Sequence, residues 1–186
     1  MKNLLTVLVL CVACNTSWAL TEDLNKIKLY SDDAVKNCAT DEEKIMAIVN
    51  FVHNKIKANA NPNITPSMKM TIVERLDLGV GWCNHQVEVC MYLAFAQGIR
   101  TRMLYLTNYE GTTSPHTIGE AWIGGRWVIL DPQNNVNLRN SEGKLISLRD
   151  IQKDKFILKK APLLKDREDA FFDMFLNPVM IVLELE

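Results

Sequence analysis

The sequence predicts an α+β fold, with helices in the first half of the chain and an antiparallel sheet in the second half. Three observations support this prediction. Residues 41–57 and 83–97 carry apolar side chains at helical spacing or nearly all round, whereas residues 100–106 alternate like a strand. Two further strand-like segments are joined through Gly124-Gly125, which is typical of a hairpin. Helices followed by strands within one chain indicate an α+β domain.

The first nineteen residues have the order of a secretory signal, with a basic start, an apolar run from Leu4 to Ala13 and small residues before the cleavage point. We therefore expect residues 1–19 to be removed and residues 20–186, about 167 in number, to form a single exported domain, secreted or periplasmic. Lipid anchoring at Cys14 is disfavoured, because the residues before it are a poor lipidation site. No apolar segment approaches the roughly 20 residues of a transmembrane helix.

The charged residues are balanced and interspersed along the chain. There are 21 Lys and Arg against 22 Asp and Glu, which gives a formal net charge of −1. Because no block of like charge exists, the sequence predicts no nucleic-acid partner and no anionic lipid surface. No acidic or basic pocket pattern appears either.

The helices of the first half are marked by their N-terminal capping residues. A capping box at Thr40 predicts a helix over about 41–57, and a second box at Thr71 predicts a short helix that ends near Gly79. Residues 58–67, between these helices, are rich in turn formers and predict an exposed loop.

The segment that begins near Cys83 predicts a central buried helix. It is apolar nearly all round from Val87 onward and stops at Gly98. Strands are then predicted over 100–106, 117–123 and 126–131. Further along the chain, the patterns indicate a short strand at 144–147, a helix at 166–176 and an apolar strand at 179–185 that pairs with an edge of the sheet.

Cys83 is the candidate nucleophile, because a cysteine thiol attacks carbonyl groups only as the thiolate. The partial positive charge of a helix N-terminus lowers a thiol pKa, and Cys83 lies at such a position. Gly81 permits a sharp turn into the helix and a close approach of a substrate chain. Trp82 is placed to line a substrate cleft.

The hairpin register predicts which residues lie next to each other. A two-residue turn pairs Ile123 with Arg126 and hence Ile118 with Asp131. Because side chains alternate along a strand, His116 shares a face with Ile118 and lies diagonal to Asp131. The carboxylate can then fix the imidazole tautomer, which leaves the other ring nitrogen to accept a proton from the cysteine.

An ordered set of motifs resembles the transglutaminase-like superfamily over about 41–133. The motifs are Gly81-Trp82-Cys83, Gly98-Ile99-Arg100-Thr101-Arg102, a histidine, and Gly125-Arg126-Trp127-Val128-Ile129-Leu130-Asp131-Pro132. The resemblance implies a papain-like fold, with Cys83 as nucleophile, His116 as general base and later acid, and Asp131 as orienter. It implies acyl transfer on peptide or protein amides without a cofactor. An aromatic residue often follows the histidine closely in the family, whereas Thr117 follows it here.

Four functions remain open from the sequence. Hydrolysis by a protease or amidase is favoured, and transamidation is the alternative reaction at the same thioester. A binding domain that keeps the fold without activity is a third class. A zinc site made of Cys83, His85, Cys90 and His116 is a fourth, which is disfavoured because this spacing does not converge like the usual ligand pairs.

The cysteines outside the signal are odd in number, so at least one is unpaired within the chain or paired between chains. Cys38 to Cys90 or Cys83 to Cys90 bridges are possible by count. Two helical turns place Cys83 and Cys90 roughly 10 Å apart, beyond bridging distance. Cys90 is expected to be a small buried hydrophobe.

Overall fold

The computed structural model describes most of the chain beyond the predicted signal. The predicted signal 1–19 lies outside the described residues, as does part of the loop predicted at 58–67. No helix in the described part of the chain is long and apolar enough to cross a membrane. The described ranges are 23–58, 63–107, 114–136, 138–177 and 179–185.

The fold is a helical layer followed by a four-stranded antiparallel sheet, which confirms the predicted α+β class. The sheet order is β3-β2-β1-β4. The helices are α1 (23–35), α2 (Asp41–Lys55), α3 (Ile72–Leu78), α4 (Cys83–Phe95), α5 (Leu148–Lys153) and α6 (Asp169–Asp173), with a 3₁₀ helix at Lys155–Lys160. The strands are β1 (Thr101–Leu106), β2 (His116–Ile123), β3 (Arg126–Leu130) and β4 (Val179–Leu185).

The capping boxes that predicted α2 and α3 are present at Thr40 and Thr71. Helix α2 ends two residues before the predicted position, because Ile56 adopts an extended conformation (φ −113°, ψ 123°). The extended backbone then allows Lys57 to form a β-bridge with Val80. This bridge links the end of α2 to the segment that leads into α4.

The sheet lies between two hydrophobic clusters, which places a layer on each of its faces. One cluster packs the first four helices against sheet residues such as Ala121 and Leu130. The other joins Ile118 and Ile129 to the segment from Val136 to Phe175. Since neighbouring residues of a strand point to opposite faces, both faces of β2 and β3 are covered.

The β2–β3 hairpin has the predicted register. Ile123 pairs with Arg126, and Trp122 pairs with Trp127. Gly124 and Gly125 form the turn, with φ of 58° and 81°, as a type I′ hairpin requires. The sequence therefore predicted this hairpin correctly.

Two predictions in the second half of the chain need correction. Residues 144–147 do not form a strand, because Ile146 accepts from Ile129 but donates to Leu138, so no ladder extends from this contact. The helix predicted at 166–176 is limited to Asp169–Asp173, and the chain continues in tighter turns such as the Phe175 N–H to Phe172 carbonyl bond. The strand predicted at 179–185 is confirmed and pairs with β1.

Helix α1 was not predicted, because a polar residue interrupts its buried face. Ser31 is fully buried between Ile27 and Val35. Its hydroxyl donates to the Leu93 carbonyl of α4 at 2.7 Å, which satisfies the polar group and attaches α1 to the central helix.

Candidate active site

Cys83 is the first residue of α4, as predicted, and its thiol is half-buried. The first N–H groups of a helix lack partners within the helix, so the sulfur lies where a negative charge is stabilised. Gly81, two residues earlier, is buried. A methyl group on its Cα would lie 2.9 Å from Ile56 Cγ2 and 3.0 Å from His85 Cβ. The close packing of this segment against α2 and α4 therefore requires glycine, and the predicted contact of Gly81 with substrate stays a prediction.

Trp82 and His85 form a stacked pair beside the thiol. Their ring centroids are 5.3 Å apart with an interplanar angle of 18°, and 44% of Trp82 is exposed. Burial, and then the nearby Arg75, lower the pKa of His85 and favour its neutral form. The neutral ring accepts from the Trp82 N–H at Nδ1 and donates from Nε2 to Met68 Sδ, at 3.3 Å and 3.2 Å. The imidazole thus fixes the exposed indole at the entrance to α4.

The structure brings His116 and Asp131 into direct contact. His116 Nε2 lies 2.9 Å from Asp131 Oδ2, and the two residues are 3% and 1% exposed. The thiol of Cys83 interacts with the same imidazole. Because Asp131 contacts Nε2, Nδ1 is the ring nitrogen left available to the sulfur. All three predicted residues therefore meet at one imidazole ring.

The Asp131 carboxylate is held by a further residue that the sequence did not indicate. Asn134 donates from Nδ2 to Asp131 Oδ2 at 2.9 Å and from its backbone N–H to Oδ1 at 3.2 Å. Asn134 is 4% exposed. Its only signal in the sequence is its place three residues after an aspartate, which is common in turns.

A second fixed contact holds the turn that carries Asn134. His53, on α2, donates from Nδ1 to the carbonyl of Pro132 at 2.8 Å. The Asp131–Val136 bridge closes the same turn. The carboxylate is therefore fixed both by its own hydrogen bonds and by the backbone that bears it.

The surroundings of Cys83 favour the thiolate. Burial alone would raise its pKa, but His116 and then the backbone N–H and hydroxyl of Thr117 outweigh burial and lower the pKa. Thr117 directly follows His116 on β2. Its hydroxyl therefore adds a donor beside the sulfur.

The imidazole and the carboxylate stabilise each other in their charged forms. Burial would lower the pKa of His116, but Asp131 and then Cys83 outweigh burial and raise it to about 10. Burial would raise the pKa of Asp131, whereas His116 and then Asn134 hold it below its usual value. These shifts favour a thiolate beside an imidazolium, with the carboxylate bonded to the same ring.

The other cysteines have different surroundings. Cys38, Cys83 and Cys90 are free thiols. Cys90 is fully buried in the helical cluster, as expected, and burial, followed by the Asp131 charge, raises its pKa. No group of three or more His, Cys, Asp or Glu side chains among the described residues has a metal-binding arrangement. His85 is instead bonded to Trp82 and Met68.

Comparison with known proteins identifies one family. Residues 28–132, more than half of the chain, match the family model of the transglutaminase-like superfamily. No curated protein matches the sequence.

Two crystal structures are similar in fold. One is a proposed cysteine protease from Cytophaga hutchinsonii, with 19% identity and a TM-score of 0.49, matched over 66% of this chain and 40% of the other. The second is a proposed protease from Parabacteroides distasonis, with 15% identity and a TM-score of 0.47, matched over 57% of this chain and 23% of the other. The chain thus spans less than half the length of either protein.

Proposed function

Because the chain belongs to the transglutaminase-like superfamily, we propose that it is a thiol-dependent hydrolase of amide bonds in peptides or proteins. In this proposal Cys83 is the nucleophile, His116 is the general acid and base, and Asp131 orients the imidazole. The observation that carries it is the position of one buried ring between a sulfur and a carboxylate, with the Nε2 to Oδ2 distance of 2.9 Å.

The first half of the reaction forms a thioester. The Cys83 thiolate attacks the amide carbonyl carbon, and the carbonyl electrons move to oxygen. The Cys83 backbone N–H, at the start of α4, is one donor available to this oxyanion. The C–N bond then breaks, and the amine leaves with the proton from Nδ1 of His116.

The second half regenerates the enzyme. A water molecule gives a proton to the now neutral His116 as its oxygen attacks the thioester carbonyl. The tetrahedral intermediate collapses, and the carboxylic acid and the Cys83 thiolate separate. Asp131 keeps Nε2 bonded throughout, so the ring does not turn away between the two proton transfers.

Alkylation by iodoacetamide at pH 7 tests the activated thiol. We expect rapid, stoichiometric labelling that Cys83→Ala abolishes and that His116→Ala slows by at least about tenfold, because the thiol pKa rises. Cys38→Ser is the matched control, since Cys38 is also half-buried but packs against the helical cluster. Equal labelling rates in wild type and His116→Ala would contradict the proposed pair.

Hydrolysis is distinguished from transamidation by offering a competing amine. Casein digested with and without a primary amine should yield new carboxyl ends in both cases, and Cys83→Ala should yield none. Incorporation of the amine without new carboxyl ends would assign the chain to transamidation instead. If labelling of Cys83 is rapid but neither product forms with any peptide or protein amide, the hydrolase proposal fails.

We also propose that the protein acts outside the cytoplasm, on the basis of the predicted signal at residues 1–19. The N-terminal sequence of protein recovered from the exported fraction should begin at residue 20. Recovery of the full-length chain from the cytoplasm alone would contradict export.

A further inference from the structure

A groove separate from the candidate active site lies at the hairpin end of the sheet. It has a volume of about 650 Å³, and none of the three proposed catalytic residues lines it. Glu120 lies in this groove, four residues after His116 on β2, which corresponds to about 13 Å along a strand. One wall is formed by residues of β1 to β3, among them Arg102, Trp122 and Trp127, and the other by α5, which contributes Arg149 and Lys153.

The groove carries an excess of positive charge. Its lining contains four cations and two carboxylates. Glu120 forms an ion pair with Arg102, whose Nε and terminal nitrogen donate to Oε2 at 2.8 Å and 2.6 Å. Asp150 forms an ion pair with Arg126, whose Nη2 donates to Oδ2 at 2.6 Å. Two cations therefore remain uncompensated in a chain whose formal net charge is −1.

The uncompensated cations are Arg149 and Lys153, both exposed and both on α5. Among the ion pairs of the described residues, none includes either side chain. Their i, i+4 separation places them on one side of the helix, about 6 Å apart along its axis. Carboxylates two residues apart on an extended peptide lie on one face about 7 Å apart. The spacing of the two cations therefore matches an acidic-x-acidic sequence in extended conformation.

The opposite wall offers an aromatic surface. Trp122 is 42% exposed and meets Trp127 edge to face, with centroids 5.3 Å apart. The guanidinium of Arg102 lies 4.2 Å from the Trp127 centroid, so this ring is already covered and Trp122 is the one presented to a ligand. In an extended peptide the residue between the two acids points to the other side, which is the side of Trp122.

We propose that this groove binds an extended peptide segment with the pattern acidic–apolar–acidic. The two carboxylates pair with Arg149 and Lys153, and the apolar side chain packs on Trp122. Binding at this site does not depend on the chemistry proposed for Cys83. No signal for this site appears in the sequence, because Trp122 and the two cations come from separate segments that only folding brings together.

Isomeric peptides test the proposal with the Cys83→Ala chain, which prevents turnover. The probes are acetyl-Ser-Glu-Leu-Glu-Ser-amide and acetyl-Ser-Leu-Glu-Glu-Ser-amide, which have the same composition and charge. We expect calorimetric titration to show binding of the first at least about fivefold more tightly, because adjacent acids point to opposite faces of an extended chain. Binding should weaken with salt.

Two double variants separate the groove from general charge. Arg149→Gln with Lys153→Gln should weaken binding about tenfold. Lys160→Gln with Lys165→Gln removes the same charge at exposed positions outside the groove and should leave it unchanged. Circular dichroism establishes that both variants are folded.

Three results would overturn the assignment. Equal affinity for the two peptides contradicts the spacing argument, and equal loss in both double variants contradicts the location. Binding of oligogalacturonate more tightly than the first peptide assigns the groove to an acidic glycan instead. None of these results bears on the labelling of Cys83, so the two proposals fail separately.

Discussion

The imidazole of His116 has two nitrogens with different partners, and this difference determines its proposed role. Asp131 Oδ2 lies 2.9 Å from Nε2, so in the proposed mechanism the proton moves to sulfur or to the leaving amine through Nδ1. The charge of the ring depends on the same carboxylate, because burial opposes the imidazolium and Asp131 favours it. A single neutral replacement at Asp131 therefore tests both orientation and charge.

Asp131→Asn should lower the pKa of His116 from its value of about 10. The alkaline limb of kcat/KM then moves to lower pH, because the imidazolium that protonates the leaving amine is lost earlier. We also expect kcat to fall on the order of 10²- to 10⁴-fold. A pH profile of peptide hydrolysis measures both effects, with the exposed Asp166→Asn as control. An unshifted alkaline limb would contradict the assigned contact.

Asn134→Ala should reduce both stability and turnover. It removes the Nδ2 donor from a buried carboxylate, a loss that costs about 1–3 kcal/mol of unfolding free energy. The pKa of Asp131 should rise, and kcat should fall more than KM changes. Gln133→Ala, in the same turn but exposed, should stay within about 0.5 kcal/mol of wild type. Urea unfolding and steady-state kinetics distinguish the two variants.

At the scale of elements, the segment between α3 and α4 fixes the direction from which the central helix begins. Gly79 ends α3 in the left-handed conformation. Val80 pairs with Lys57, and the Gly81 N–H donates to the Lys57 carbonyl at 3.2 Å. The position of Cys83 is therefore set by backbone contacts to the end of α2 as well as by α4.

Gly79→Ala and Gly98→Ala compare two glycines with the same backbone requirement. Their φ values are 68° and 73°, so each alanine costs about 1–2 kcal/mol in conformation. A Cβ at Gly79 would also lie 2.9 Å from the Lys55 carbonyl, whereas nothing lies within 4 Å at Gly98. We expect Gly79→Ala to lose at least about 1 kcal/mol more in urea unfolding. Gly79→Ala should also slow alkylation of Cys83. Equal losses of unfolding free energy in the two variants would contradict a steric conflict with the Lys55 carbonyl.

At the scale of the molecule, the proposed site lies where the helical layer meets the sheet, and the charges of His116 and Asp131 are buried there. Folding therefore changes the affinity of these groups for protons, which makes stability depend on pH. The pKa of Cys83 is lowered, whereas that of His116 is raised, so the two groups change stability with pH in opposite directions. Removal of Cys83 leaves Asp131 as the group that raises the pKa of His116.

The Cys83→Ala chain should lose stability as pH rises above 6.5. The raised pKa of His116, about 10 in the intact site, means that its stabilisation is complete below the unfolded value of 6.5 and is lost as pH rises through the folded value. Adding Asp131→Asn should make this decline shallower. Urea unfolding from pH 6 to pH 10 measures both slopes, and identical slopes would contradict a buried imidazolium.

The three proposed catalytic residues could be located from the sequence because local features determine their positions. Two glycines fix the hairpin register, and Gly98 marks the end of the buried helix. Asn134 was missed because its contacts depend on a four-residue turn in which Asn135 has φ of 49°. The groove at the hairpin end was missed because Trp122 and Arg149 are far apart in the chain and line it together only after folding.

The outer edge of β1 has no neighbouring strand until β4 has been synthesised. Strand β1 lies between β2 and β4, but residues 179–185 are translated long after residues 101–106. A nascent chain that already contains β1 to β3 thus exposes one row of backbone donors and acceptors, which can recruit strands from other molecules. A chaperone that shields this row until translation reaches β4 would raise the yield of folded protein.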